Sequence, residues 1–307
     1  MRVDATSLLP CERFEGDHWL PEIEPASGRL VIERGLFSQG ADDGDDELGP
    51  RLIGAGGQAA TNTATRIGVG NSATAAAVVL SGRHAFVSFA DARQLDVARE
   101  VAQSYALDNG AFSAWRSGKP ITDWAPYYGW AGEQHKHPSC DFAIIPDVID
   151  GDEAANDALI REWPHGVVGV PVWHLHESLD RLARLAADWP RVALGSSGVY
   201  ADPGSPSWWH RMTEALDVVC DREGRPLVKL HGLRMLDGDL VSRIPFASAD
   251  STNVGRNIGI DGAWRGTYAP PTKEWRALVI AARIEASNAP ERWTGRPLQQ
   301  DLLGRIA

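Results

Sequence analysis

Tyr105-Ala106-Leu107-Asp108-Asn109-Gly110-Ala111-Phe112 is a short apolar run that ends in a carboxylate and breaks into a glycine turn. Such a run reads as a buried strand, and the Asn-Gly step punctuates it. From His84 onward the rhythm repeats, with apolar runs at His84-Phe89, Tyr105-Leu107, Phe142-Ile145, Val167-Trp173, Arg191-Leu194, Leu227-Leu230 and Phe246-Ala249. Between them lie helical spacings: Leu95, Ala98, Val101 and Ala102 behind Asp91; Leu179, Leu182, Leu185 and Ala186 behind a Ser178 cap; Trp208, Met212, Ala215 and Val219. Trp275, Leu278, Val279 and Ala282 supply a closing helix. Alternating strands and helices imply parallel strands covered by crossover helices. Seven runs, with one more from the N-terminal region, predict an α/β fold of the (β/α)8 TIM-barrel type, ahead of an open doubly wound sheet.

Residues 1–80 read as an N-terminal extension that supplies one barrel strand, and residues 81–307 as the barrel catalytic domain. Arg29-Phe37 alternates weakly, as a strand does. Gly54-Ala55-Gly56-Gly57 is no phosphate loop, because no Gly-Lys-Ser/Thr follows at the required spacing.

The chain has 307 residues, 43% hydrophobic and 23% charged, and no apolar run approaches the roughly 18 residues of a membrane span. Met1 to Pro10 lacks a basic stretch followed by an apolar core, so no secretion signal and a cytoplasmic location are expected. Cys11, Cys140 and Cys220 are far apart and odd in number, which suits reduced thiols. The net charge of -11 argues against a generic nucleic-acid coat, although acidity concentrates at residues 41–47 and arginines accumulate in the second half.

In a barrel of this type the chemistry sits at the carboxyl ends of the strands. The residues there are Asp91, Asp108, Asp147, His174 with His176, the loop Gly195-Ser196-Ser197-Gly198, His231-Gly232, and Asp250. Two carboxylates in one water-poor pocket can divide labour, one ionised as nucleophile and the other a proton carrier. That division suits displacement at an anomeric carbon through a covalent glycosyl intermediate, with Asp108 and Asp250 as the pair. Asp147 can accept hydrogen bonds from a nucleobase edge, and the glycines at 195 and 198 let backbone amides approach it.

These segments resemble the tRNA-guanine transglycosylases and their DNA-directed relatives that install 7-deazaguanines such as preQ0. Leu107-Asp108-Asn109-Gly110-Ala111-Phe112 is similar to the family's Asp-Ser-Gly-Gly-Phe-Gln segment, whose Asp is the general acid/base. Asp141-Phe-Ala-Ile-Ile-Pro-Asp147 resembles the strand whose terminal Asp reads the base, and Ala193-Leu-Gly-Ser-Ser-Gly198 the glycine-rich base loop. Lys229-Leu-His231-Gly232-Leu233 resembles the later strand that ends in a glycine turn, and Asp250 takes the place of the nucleophile. The order of all five segments matches across roughly half the chain, from about Phe86 to Asn257. The resemblance implies exchange of guanine for a 7-deazaguanine base through a glycosyl-Asp intermediate, without a cofactor. No cysteine follows Cys220, so the family's Cys-x-Cys-x2-Cys zinc site and the tRNA-contacting subdomain around it are missing. The chain therefore looks more like the phage and bacterial DNA-modifying paralogues, with DNA rather than tRNA as partner, together with proteins of a DNA-modification system. Val172-Trp173-His174-Leu175-His176-Glu177 replaces the family's Gln-Gly-Gly, so His174 or His176 supplies a polar contact to the base.

Two other readings fit the same residues. His174-x-His176, His231 and Asp250 are ligand types for a metal-dependent hydrolase on a barrel, and His135-x-His137-x2-Cys140 is a separate candidate clip for a transition metal. A non-catalytic nucleic-acid-binding paralogue is the third reading. The 12 tryptophans, Trp115 among them, can stack on extruded bases or fill the core.

Overall fold

The computed structural model describes residues 80–251 and 269–295, with the short stretches 30–31, 52–55, 64–66 and 77–78. The acidic loop at 41–47, most of the tract from Gly54 to Ala77, the rest of Arg29-Phe37, and Gly255, Arg256 and Asn257 lie outside the described residues.

Three short strands come from the N-terminal region: β1 (Leu30–Val31), β2 (Leu52–Ala55) and β3 (Ala64–Arg66). All seven expected runs then form strands: β4 (His84–Ser88), β5 (Ser104–Asp108), β6 (Cys140–Ile144), the pair β7 (Gly169–Val170) and β8 (Val172–His174), β9 (Arg191–Gly195), β10 (Lys229–Leu233) and β11 (Ser248–Ser251). The break between β7 and β8 is Pro171, which has no N–H to give a ladder. Its carbonyl still accepts from Ala193 at 2.9 Å, so one extended stretch pairs with β6 through its first half and with β9 through its second. Read through Pro171, the strand order is β4-β5-β6-β7/β8-β9-β10-β11, every neighbour parallel.

The extension does enter the sheet, but not as the parallel strand expected of it. β2 pairs antiparallel with β11, and β3 antiparallel with β2. A parallel neighbour needs a crossover connection of about a dozen residues or more, whereas only residues 56–63 separate β2 from β3, so that pair runs antiparallel. Their Cα atoms also approach β4 within 8 Å.

Helices follow the strands: α1 (Leu95–Val101), α2 (Ala111–Arg116), α3 (Ala125–His135), α4 (Glu153–Glu162), α5 (Leu179–Asp188), α6 (Pro206–Val219), α7 (Gly238–Val241) and α8 (Lys273–Glu285). The Ser178 cap is present, its hydroxyl accepting from the Arg181 N–H at 3.1 Å. On α6 the residues Trp208, Met212, Ala215 and Val219 are fully buried, as their spacing requires.

The central residues of β4, β5 and β9, and the last three of β6, are apolar because both faces are covered. One face, including Val87, Leu107, Ile145, Leu194 and Leu230, packs on the helices. The other builds a second cluster from strand residues alone: Phe86, Ala106, Phe142, Ile144, Val170, Val172 and Ala193. The His231 ring on β10 lies 5.5 Å from Phe86 on β4 and 5.6 Å from Phe142 on β6. In a flat sheet β10 and β4, five steps apart, are separated by about 24 Å. The sheet therefore curls until its inner faces meet. Its amino-terminal end is filled by polar groups, with His84 Nδ1 2.7 Å from Ser104 Oγ, and the Arg191 guanidinium 4.3 Å over the Phe142 ring.

Candidate active site at the carboxyl ends of the strands

Asp108 is the last residue of β5, and its carboxylate is buried rather than turned to solvent. Ser88, its register partner on β4, donates its hydroxyl to Asp108 Oδ2 at 2.8 Å, and the Gly110 N–H donates to the same oxygen at 3.2 Å. The turn that brings that N–H round requires glycine: Gly110 has φ of 77°, and a Cβ there would meet Ala90 at 3.1 Å. Asn109 uses both ends of its side chain. Oδ1 accepts from the Ala111 N–H at 2.8 Å and starts α2, while Nδ2 donates to the Ile145 carbonyl at 3.0 Å and to Asp147 Oδ1 at 2.7 Å. Beneath them Tyr127 donates to the Ile144 carbonyl at 2.7 Å. Burial first, and the negative charge of Asp108 second, hold its phenol well above the usual tyrosine range, so it stays neutral.

Asp147 does not stand alone at the end of its strand. Its second oxygen lies 2.9 Å from His174 Nε2, so Asn109, Asp147 and His174 form one hydrogen-bonded chain across three strand ends. His174 is held from behind by Glu177, which accepts from the His174 N–H at 2.8 Å. Glu177 itself is pinned by Asn156 at 2.8 Å and by Arg181 Nη1 at 2.6 Å, and Arg181 is completely buried. Gly195 leaves room for this imidazole, since a Cβ there would lie 2.9 Å from His174 Nδ1.

His176 is exposed and stacks on His174 with ring centres 5.6 Å apart. Its Nε2 lies 3.0 Å from the Gly151 carbonyl, which only accepts, so the proton is on Nε2. Nδ1 then accepts from the Ser197 hydroxyl at 2.6 Å in the neutral ring. Ser196 points elsewhere and accepts from Trp208 Nε1 at 2.9 Å. Gly198 is exposed at the start of a short 3-10 turn.

Asp250 and His231 occupy the opposite side, and neither has any solvent exposure. The Arg234 N–H donates to Asp250 Oδ1 at 2.7 Å, and His231 Nε2 faces the same oxygen across 3.7 Å. Gly232 pairs with Ala249 in the ladder and lies under Phe246. Arg234 adopts a left-handed backbone, φ 58°, at a non-glycine residue, a strained turn that aims its N–H at the carboxylate. Its guanidinium stacks 3.7 Å from the centre of the Phe112 ring, and Phe112 lies on the first turn of α2 behind Asp108. This single residue ties the Asp250 loop to the Asp108 loop.

The structure thus joins Asp147 and His174 by hydrogen bonds, stacks His176 with its partner Ser197 on the latter, sets Asp108 beside them through the adjoining Asn109, and places His231 against Asp250 in a second group. Asn109, Glu177, Arg181 and Arg234 were not expected as parts of the site. The i,i+4 spacing of Glu177 and Arg181 at the start of a helix was the available signal for that pair. Arg234 offered none. A cavity of about 590 Å³ opens beside Arg234, lined also by Trp209, Leu236 and Arg243.

The histidines of the candidate metal clip, His135 at the end of α3 and His137 just beyond it, have other partners: His135 Nε2 accepts from the Val168 N–H, and His137 Nδ1 from the Ser139 N–H, each at 3.3 Å. Among the described residues no three His, Cys, Asp or Glu side chains converge as metal ligands. Among the described residues no helix is long and apolar enough to cross a membrane. No protein-family model, curated protein or solved structure matches the chain.

Proposed function

We propose that the protein is a transglycosylase that exchanges guanine in DNA for a 7-deazaguanine base. The observation that carries this reading is the pair of buried carboxylates at the ends of β5 and β11, whose loops Arg234 and Phe112 clasp together. Asp250 attacks the anomeric carbon; the bond to guanine N9 breaks, its electron pair leaves with the base, and Asp108 in its acid form supplies the proton that the base takes up. The resulting glycosyl ester is resolved in reverse. Asp108, now a carboxylate, takes the proton of the incoming deazaguanine, whose nitrogen attacks the anomeric carbon and frees Asp250.

In this reading the fold is a closed barrel of TIM type in which the antiparallel β2 stands where an eighth parallel strand would be. The curled sheet, the inner cluster made of strand residues alone, and the antiparallel pair β2 and β3, which meets both β11 and β4, support closure. The Asp147–His174 pair and the Gly195–Gly198 loop would hold the base. The nucleotide must be extruded or single-stranded, since neither carboxylate reaches an anomeric carbon inside a stacked duplex. Incubation with labelled 7-deazaguanine and single-stranded DNA is expected to label the DNA. Labelling of tRNA in its place would change the polymer, and labelling of neither would end the proposal.

A further inference from the structure

Behind Asp250 a line of polar groups runs inward through an otherwise apolar interior. His231 Nδ1 lies 2.7 Å from Ser248 Oγ, and that oxygen accepts from Arg191 Nη1 at 3.3 Å. The ring is walled by Phe86 and Phe142, and the Arg191 guanidinium lies over the Phe142 face. Buried polar groups in such surroundings are costly unless their hydrogen bonds agree with one another, so the proton positions follow from the donors.

Arg191 has only protons to give. Ser248, accepting one of them, is polarised to donate its own hydroxyl to Nδ1. A ring that accepts at Nδ1 carries its proton on Nε2, the nitrogen that faces Asp250 Oδ1 across 3.7 Å. The opposite arrangement would set the bare lone pair of Nε2 against a carboxylate. Asp250 Oδ1 therefore accepts a hydrogen bond from the Arg234 N–H at 2.7 Å and is faced on the same oxygen, across a longer 3.7 Å, by the His231 N–H. Both fix the direction of a carboxylate that is fully buried.

We infer that His231 is a positioning residue for Asp250: with Ser248 and Arg191 it holds a proton on Nε2 that faces the carboxylate and orients it for attack. This assigns His231 to the nucleophile rather than to the base. The effect on glycosyl transfer rests on the proposed function, whereas the proton position does not.

The test has two arms. In the full chain with 15N-labelled histidine, the His231 signal, identified by its loss in His231→Gln, should show a protonated Nε2. A neutral ring with its proton on Nδ1 would overturn the inference, whatever the protein catalyses. In the exchange assay, His231→Leu should lower kcat by about 10²-fold, the scale for loss of one preorganised donor, with KM for the base nearly unchanged. His231→Gln offers an amide N–H to Asp250 and an amide oxygen to Ser248, and should recover to within about tenfold of wild type. Wild-type exchange with an equally active, folded His231→Leu would refute His231 while leaving the transglycosylase reading intact. Failure of wild type to exchange, with the Nε2 proton in place, would do the reverse.

Discussion

Asp108 and Asp250 are almost equally buried, yet they are held in different ways. Asp108 is gripped by a serine on the next strand and by its own turn, and its loop is shared with Asn109, Asp147 and His174, a network that ends at the exposed His176. Asp250 is gripped by a backbone N–H from a strained turn and faces a histidine locked into the interior. A group that must exchange a proton with a substrate gains from neighbours that reach the surface. A nucleophile that must keep one charge and one position gains from a rigid, dry socket. The contrast matches the two roles proposed.

Substitution breaks the comparison most sharply at the socket. Asp250→Asn should lower the exchange rate by at least about 10⁴-fold, because no other group can form the glycosyl ester. Asp108→Asn should cost about 10² to 10⁴-fold and leave formation of the intermediate slow but detectable, which single-turnover kinetics will separate. Equal losses in both variants would erase the distinction between them.

The shared network makes a thermodynamic prediction. Asn109→Ala removes the donor to Asp147 and to the Ile145 carbonyl, and should destabilise the protein by about 1 to 3 kcal/mol in denaturant unfolding. It should also raise KM for the base more than it lowers kcat, since it loosens the Asp147–His174 pair and not the socket.

The surface side of the contrast can be probed at Trp115, which is exposed on α2 next to Arg116 and packs 5.6 Å from Phe112. Trp115→Ala should raise KM for single-stranded DNA about fivefold, the low end for loss of one base stack, without changing kcat.

The smallest effect concerns pH and lies away from both carboxylates. Burial raises the Glu285 carboxyl to about 7, against the opposing pull of Arg83, 3.8 Å away. Its folded value exceeds its unfolded one, so the stability it contributes is complete below the ordinary carboxylate range and is lost as pH rises through about 7. Glu285→Gln should flatten that part of the stability profile while leaving the pH dependence of exchange untouched.

Much of this architecture is legible in the sequence because each strand is buried on both faces and each helix on one. The runs ending at Asp108 and Asp250, and the Ser178 cap, carry local signals of that kind. The antiparallel entry of β2 carries none, because direction depends on how the extension returns to the sheet. Arg181 is legible only through its i,i+4 spacing from Glu177: its completely buried side chain in α5 contradicts the apolar pattern that makes the rest of that helix readable, and its partners Glu177 and Asp157 explain it. Arg234 on Phe112 and Asn109 on Asp147 have no such spacing. These contacts join segments distant along the chain, and side-chain type alone does not say who meets whom.

The central claim is a covalent bond between Asp250 and a sugar. Single-stranded DNA mixed with the protein and quenched in acid within the first turnover should leave a nucleic-acid adduct on the peptide containing Asp250, detected by mass spectrometry after nuclease and protease digestion. It should disappear on addition of 7-deazaguanine before the quench, and should be missing in Asp250→Asn. Base exchange without any adduct, or with the adduct on another residue, would contradict the account.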